Sequence, residues 1–215
     1  MKIFKSTWFK CIAVLLSIAV VLGGLLAILN DLLYVSPEER TGRVFQKVYG
    51  RVFTADEYKV KLDVDSKDPK VEKKAKEYKD SENNTFGYIE KIYEVGKDDT
   101  DMTTDTKYDL LFKSTGCQGY KGGTVTLWIK VAIDGDQKEI QTVLIDSYEK
   151  QTLMSQLGSK YLGGFMMLDI SDNYSTYFSA KDKDGYKTNA VSGATKSAQA
   201  GCNAVNCVIE YMKGV

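Results

Sequence analysis

Residues 124–133 read TVTLWIKVAI, and this stretch decides the fold class. Val125, Leu127, Ile129, Val131 and Ile133 alternate with Thr126, Trp128 and Lys130. Successive side chains of a strand point to opposite faces, so a period of two predicts a strand with one buried face. The turn DGDQKE follows, then IQTVLIDSY at 140–148. The pair predicts an antiparallel hairpin with a longer loop. Upstream, TFGYIEKIYEV at 85–95 and YDLLFKST at 108–115 are rich in aromatic and branched residues. They predict two more strands, separated by the polar GKDDTDMTTDTK.

Downstream the period changes. In 194–213, Gly201, Val205, Val208 and Met212 fall on one seam of a helix, with Ala198, Ala204 and Ile209 beside it. Asn203, Asn206, Glu210 and Lys213 fall on the other side, which predicts an amphipathic helix with a solvated polar face. Gly158, Gly163 and Gly164 break the chain before FMMLDI. Residues 36–50, SPEERTGRVFQKVYG, predict a short helix. Ser36 suits its cap, Pro37 its first turn, Glu39 its third position and Gly50 its stop. Residues 65–84 are mostly charged or polar and predict a solvated helix or loop. The expected fold is α+β, an antiparallel sheet with flanking helices.

Ahead of this domain, residues 11–29 read CIAVLLSIAVVLGGLLAIL without a charge. A helix of that length spans about 28 Å, close to the hydrocarbon thickness of about 30 Å. Trp8 and Phe9 stand at one edge and Tyr34 beyond the other, where interface aromatics belong. Lys2, Lys5 and Lys10 precede the run; Asp31, Glu38 and Glu39 follow it, with Arg40 and Arg43 farther on. The positive-inside rule then places the N-terminus in the cytoplasm. A cleaved signal peptide is the alternative, but the run is longer than a usual signal core and no A-x-A site follows it. The expected organisation is a cytoplasmic N-terminus and transmembrane helix over 1–35, and an extracytoplasmic domain over 36–215. That makes a single-pass protein of the cell membrane.

Composition narrows the chemistry. Lysine plus arginine number 29 and aspartate plus glutamate 29, so the basic excess that a nucleic-acid partner requires is missing. The chain has no histidine, which removes histidine triads, histidine general bases and histidine-ligated zinc or iron. The four cysteines, Cys11, Cys117, Cys202 and Cys207, form no C-x-x-C pair and read as small buried hydrophobes rather than cluster ligands. Redox chemistry would have to come from a bound organic cofactor.

One motif stands out. Residues 191–197 read VSGATKS and lead directly into the C-terminal helix. A helix start offers unpaired N–H groups and partial positive charge, both suited to phosphate. Gly193 and Ala194 are small enough for close backbone approach. Ser192, Thr195 and Ser197 supply three hydroxyls, and Lys196 adds a cation. Ser197 lies four residues before Gly201, on the buried seam. The alternative is an ordinary helix cap, with Ser192 or Thr195 accepting a backbone N–H.

The S-G-A-T-x-S/T pattern before a small-residue helix resembles the flavinylation motif of the FMN-binding domain family. That family includes the single-span flavin-bearing component of the Rnf electron-transport complex and its counterpart in the sodium-pumping NADH:quinone reductase. The resemblance extends to the single N-terminal membrane helix and to a G-Y-x-G-G turn, here Gly119-Tyr120-Lys121-Gly122-Gly123. It implies FMN joined to Ser197 through a phosphoester and installed from FAD by a flavin transferase. Ser192, Gly193, Ala194 and Thr195 would surround the phosphate. The acceptor is usually threonine in the family and is serine here. The family's E-T-P-G-L-G, which lines the flavin ring, is replaced by EKQTLMSQLG at 149–158, where Thr152 and Leu153 are the expected ring contacts. The implied function is that of an electron-relay subunit, not a self-contained catalyst. The complex implied is an ion-translocating ferredoxin:NAD oxidoreductase of Rnf type, with other membrane subunits as partners. The corresponding flavin-bearing component of a sodium-pumping quinone reductase and a stand-alone anchored flavoprotein are the alternatives.

Overall fold

A computed structural model of the chain describes residues 7–54, 56–96, 107–171 and 176–215. Lys2, Lys5 and most of the polar stretch at 96–107 lie outside these residues. The fold is α+β.

Helix α1, Thr7–Leu33, contains a run, Lys10–Leu33, long and apolar enough to cross a membrane. None of that run is buried against the rest of the chain. Residues 34–36 then lead to α2, Pro37–Tyr49. Its start is the expected one: the Glu39 N–H donates to Ser36 Oγ at 3.1 Å. Its end is Gly50, whose φ of 73° lies in the left-handed region that glycine adopts without strain.

Nine strands follow among the described residues. They are β1 (Tyr58–Asp63), β2 (Lys76–Lys79), β3 (Thr85–Val95), β4 (Lys107–Gly116), β5 (Val125–Asp134), β6 (Gln137–Tyr148), β7 (Leu168–Asp169), β8 (Tyr177–Ser179) and β9 (Tyr186–Thr188). The main sheet is antiparallel, in the order β1-β3-β4-β5-β6-β7. β2 pairs with the same edge of β3 as β1, beside the other half of that strand. β8 and β9 form a small parallel pair.

Two sequence expectations need correction here. The β5–β6 hairpin is tight, since Asp134 pairs with Gln137 and only Gly135 and Asp136 form the loop. The polar residues read as turn instead extend β6. Lys138 among them is buried, and its ammonium donates to the Met212 carbonyl at 3.3 Å and to the backbone oxygen of Val215 at 2.7 Å. The charged segment 65–84 is also not only loop and turn, since Lys76–Lys79 forms β2 along the edge of β3.

The sheet buries both faces. On one, Leu110, Phe112, Leu127, Ile129, Val131 and Val143 pack under the C-terminal helix α4, Thr195–Met212. On the other, Leu111 and Trp128 join Tyr93 beneath Phe45 of α2. The strict alternation of β5 produces this division, with Trp128 and Lys130 on the α2 side. Between β6 and β7 lies α3, a short helix at Ser159–Gly163 that presses Tyr161 and Phe165 into the α4 side.

α4 is the core helix. It seats unusually close to the sheet because Gly87 and Gly116, paired across β3 and β4, face it. A methyl group on Gly116 would overlap the backbone of Ala200 and Ala204. Its predicted polar face reaches solvent only at its C-terminal end, at Glu210 and Lys213, and is otherwise buried, which corrects the sequence reading. Asn203 and Asn206 are buried. Asn206 pairs with the backbone of Phe178 in β8, accepting from its N–H at 2.8 Å and donating to its carbonyl at 2.9 Å. Asn203 donates to the Cys117 carbonyl at 2.9 Å. The amides therefore tie loops and β8 to the helix.

Candidate functional site

Residues 192–197 form the entry to α4, with Ala194 in the cap position. No side chain caps this helix, so the cap expected as the alternative from Ser192 or Thr195 does not form. The backbone turns in through a hydrogen bond from Ala194 N–H to the Val191 carbonyl at 3.1 Å. Gly193 has φ of 78°, a conformation that strains any L side chain, so glycine is required there. Ser192, Gly193 and Lys196 are exposed, Thr195 is half-buried, and Ala194 is buried.

Ser197 occupies the third helical position and is only 3% exposed. Its seam position was legible in the sequence; its partner was not. The Ser197 hydroxyl donates to Gln151 Oε1 at 2.7 Å. Gln151 is itself buried and fully engaged. Its Oε1 also accepts from the Tyr120 N–H at 3.1 Å, and its Nε2 donates to the Glu149 carbonyl at 2.9 Å. A longer bond reaches the Tyr120 carbonyl at 3.5 Å.

The G-Y-x-G-G turn explains how that amide is held. Tyr120–Gly122 is a single 3-10 turn, closed by the Gly119 N–H on the Gly123 carbonyl at 2.9 Å. A Cβ on Gly119 would lie 2.6 Å from Gln151 Nε2, and one on Gly123 would lie 2.5 Å from it. The glycines clear a slot that the Gln151 side chain fills. Three separate sequence features thus meet at one place: the turn at 119–123, the segment at 149–158 and the motif at 192–197. Gln156 reinforces the meeting, since its Oε1 lies 3.6 Å from where a Gly193 Cβ would stand.

Thr152 and Leu153 follow Gln151 and face solvent, with Leu153 37% exposed, while Met154 and Leu157 turn into the core. The segment leaves β6 through Lys150, which has φ of 54°, a costly conformation for a residue with a Cβ. Behind the helix start, Tyr161 lies against Gly201 and donates to the Ala198 carbonyl at 2.6 Å. Burial pushes the Tyr161 hydroxyl well above its ordinary range, so it stays a donor. Cys202, beside it, is pushed up to about 12, also by burial.

The arrangement offers an uncapped helix start next to a single buried hydroxyl with a fixed proton. Searches of family models, of curated proteins and of solved structures return no match to this chain. Candidate chemistry therefore rests on the residues themselves. Among the described residues no group of histidine, cysteine, aspartate and glutamate side chains is arranged to hold a metal ion. A cleft of about 810 Å³ opens elsewhere, between β2, the β8–β9 pair and the face of α4 carrying Asn203 and Asn206. None of 192–197 lines it.

Proposed function

We propose that the chain is a membrane-anchored electron carrier with FMN esterified to Ser197. The observation that carries the reading is the convergence of the S-G-A-T-K-S helix start and the Gln151 slot on one buried hydroxyl. An ordinary structural serine at this place would need neither the positive-φ glycine before it nor a helix start free of side-chain caps. The residues fit a phosphate group. Backbone N–H groups of the first turn are not taken by a cap, and Gly193 leaves the approach open. Ser192 and Thr195 add hydroxyl donors on the same turn, and Lys196 adds positive charge. The exposed Thr152 and Leu153 are the surface on which the ring would rest.

FMN, when attached, supplies one- or two-electron transfer, and the protein's part is to hold and tune it. A covalent link prevents loss of the cofactor outside the cell. The apolar α1 and the absence of histidine favour a relay anchored among partner membrane subunits, as in an Rnf-type ion-translocating complex.

The test is direct. The chain from its native host, run on a denaturing gel, is expected to give a fluorescent flavin band and a mass increased by one FMN. Both should vanish in Ser197→Ala. A host with an active flavin transferase that yields an unmodified chain would refute the reading. Copurification of the wild-type chain with other redox membrane subunits distinguishes a member of a complex from a stand-alone carrier.

A further inference from the structure

We propose that Gln151 is the positioning residue for flavin attachment, holding the Ser197 proton inward so that the oxygen lone pairs face the incoming phosphate. The inference rests on the reading of Ser197 as the acceptor and adds a residue to it.

The orientation of the Gln151 amide is dictated by its backbone partners. The Tyr120 N–H can only donate, so the amide oxygen must face it. The Glu149 carbonyl can only accept, so the amide nitrogen must face that side. The atom left facing Ser197 is therefore an acceptor, and the hydroxyl has to donate to it. A side chain at Gly119 or Gly123 would collide with Nε2, so the two glycines are what lets the amide sit in this slot. A serine hydroxyl normally turns among three staggered positions. Here one is selected. The proton points at Gln151, and both lone pairs lie away from it.

That is the orientation nucleophilic attack requires. In attachment, Ser197 Oγ attacks the phosphorus on the FMN side of the FAD pyrophosphate. The Oγ–P bond forms, the P–O bond to the adenylate half breaks, and AMP departs. Because a neutral amide does not accept the proton, it stays on Oγ while the Oγ–P bond forms and then turns from Gln151 to a base of the transferase or to water. The ester oxygen then has no proton to give, so the bond to Gln151 is used only before attachment. A glutamate in place of Gln151 would also accept from Ser197. As a carboxylate it would repel the phosphate and lose the donation to Glu149.

The experiment uses the full chain in detergent, its flavin transferase and FAD, with mass gain followed over time at several chain concentrations. Gln151→Ala is expected to lower kcat for attachment about tenfold or more, since orientation is lost, while KM stays near the wild-type value. Gln151→Glu, which keeps the side-chain shape, is expected to load slowly at neutral pH and faster as pH falls and its carboxyl is protonated. The wild type should show no such rise. Near-UV circular dichroism reports whether each variant folds. Should Gln151→Ala not fold, the pH profile of Gln151→Glu decides. A folded Gln151→Ala with wild-type kcat, or a Gln151→Glu profile identical to wild type, overturns the role of Gln151. Failure of the wild-type chain itself to gain FMN overturns the acceptor reading beneath it.

Discussion

At the scale of single residues, Ser197 combines burial with a small stabilising role. Its side chain makes one hydrogen bond to a neutral acceptor, and Gln151 keeps its backbone partners when that bond is gone. Ser197→Ala should therefore cost about 1 kcal/mol of stability, read as a small fall in the urea midpoint, while abolishing flavin attachment. A loss of more than about 3 kcal/mol would place Ser197 among structural network residues instead. The thiols offer a separate check. Burial pushes Cys202 up to about 12, and Cys207 rises further for the same reason, whereas Cys117 is half-buried and raised less. Maleimide at neutral pH should label Cys117 slowly in the folded domain, and Cys202 and Cys207 only after unfolding. For the buried pair the sign is fixed: stability is whole below about pH 9, where an unfolded thiol ionises, and declines as pH rises toward about 12. Rapid native labelling of Cys202 would contradict the packing of α4. Ser197 was legible from its place in the motif and on the seam. Gln151 was not, because its bond to Ser197 spans 46 positions and no local pattern reports such a contact. Thr152 and Leu153, expected as ring contacts, are exposed, and it is the neighbouring Gln151 that bonds Ser197.

At the scale of elements, the seating of α4 positions the site. Gly87 and Gly116 let the helix backbone approach the sheet, and Ser114 Oγ donates to the Ala204 carbonyl at 2.8 Å. Gly116→Ala should lift the helix and cost about 3 kcal/mol, the upper part of the usual overpacking range, seen in chemical denaturation. The displaced helix start would also separate Ser197 from Gln151, so flavin attachment should fall with stability. A variant as stable as wild type would mean that α4 does not lie this close. The strands were readable because β5 carries its period openly and β3 and β4 are rich in aromatic and branched residues. The polar face of α4 misled for a physical reason: an asparagine directed at the Phe178 backbone has the same letter as one directed at water. β2 was missed because KEYK alternates half-buried and exposed residues at an edge, where charge is the normal protection of a strand.

At the scale of the whole molecule, the two ends of the chain do different work. α1 places Leu15, Leu26 and Leu32 outward with nothing of the domain covering them, an exposed apolar surface that a membrane would cover. Only residues 34–36 separate the helices, so α2 begins within about 14 Å of the end of α1. α2 is not a free spacer. Phe45 is fully buried, with ring contacts to Tyr49, Phe53, Tyr58 and Tyr93. If α1 spans a membrane, as proposed, the packed α2 would hold the sheet near its surface and restrict the reach of a flavin on Ser197. The orientation expected from charge, with lysines before the apolar run and Glu38 and Glu39 after it, puts the domain outside. The expected outcome is a chain that stays in the membrane pellet after alkaline washing and dissolves only with detergent. Protease added to the outside of spheroplasts should remove residues beyond 36, whereas in inverted vesicles those residues should survive. Release by alkali would end the anchor reading. Digestion in inverted vesicles with protection in spheroplasts would reverse the orientation and put Ser197 on the cytoplasmic side.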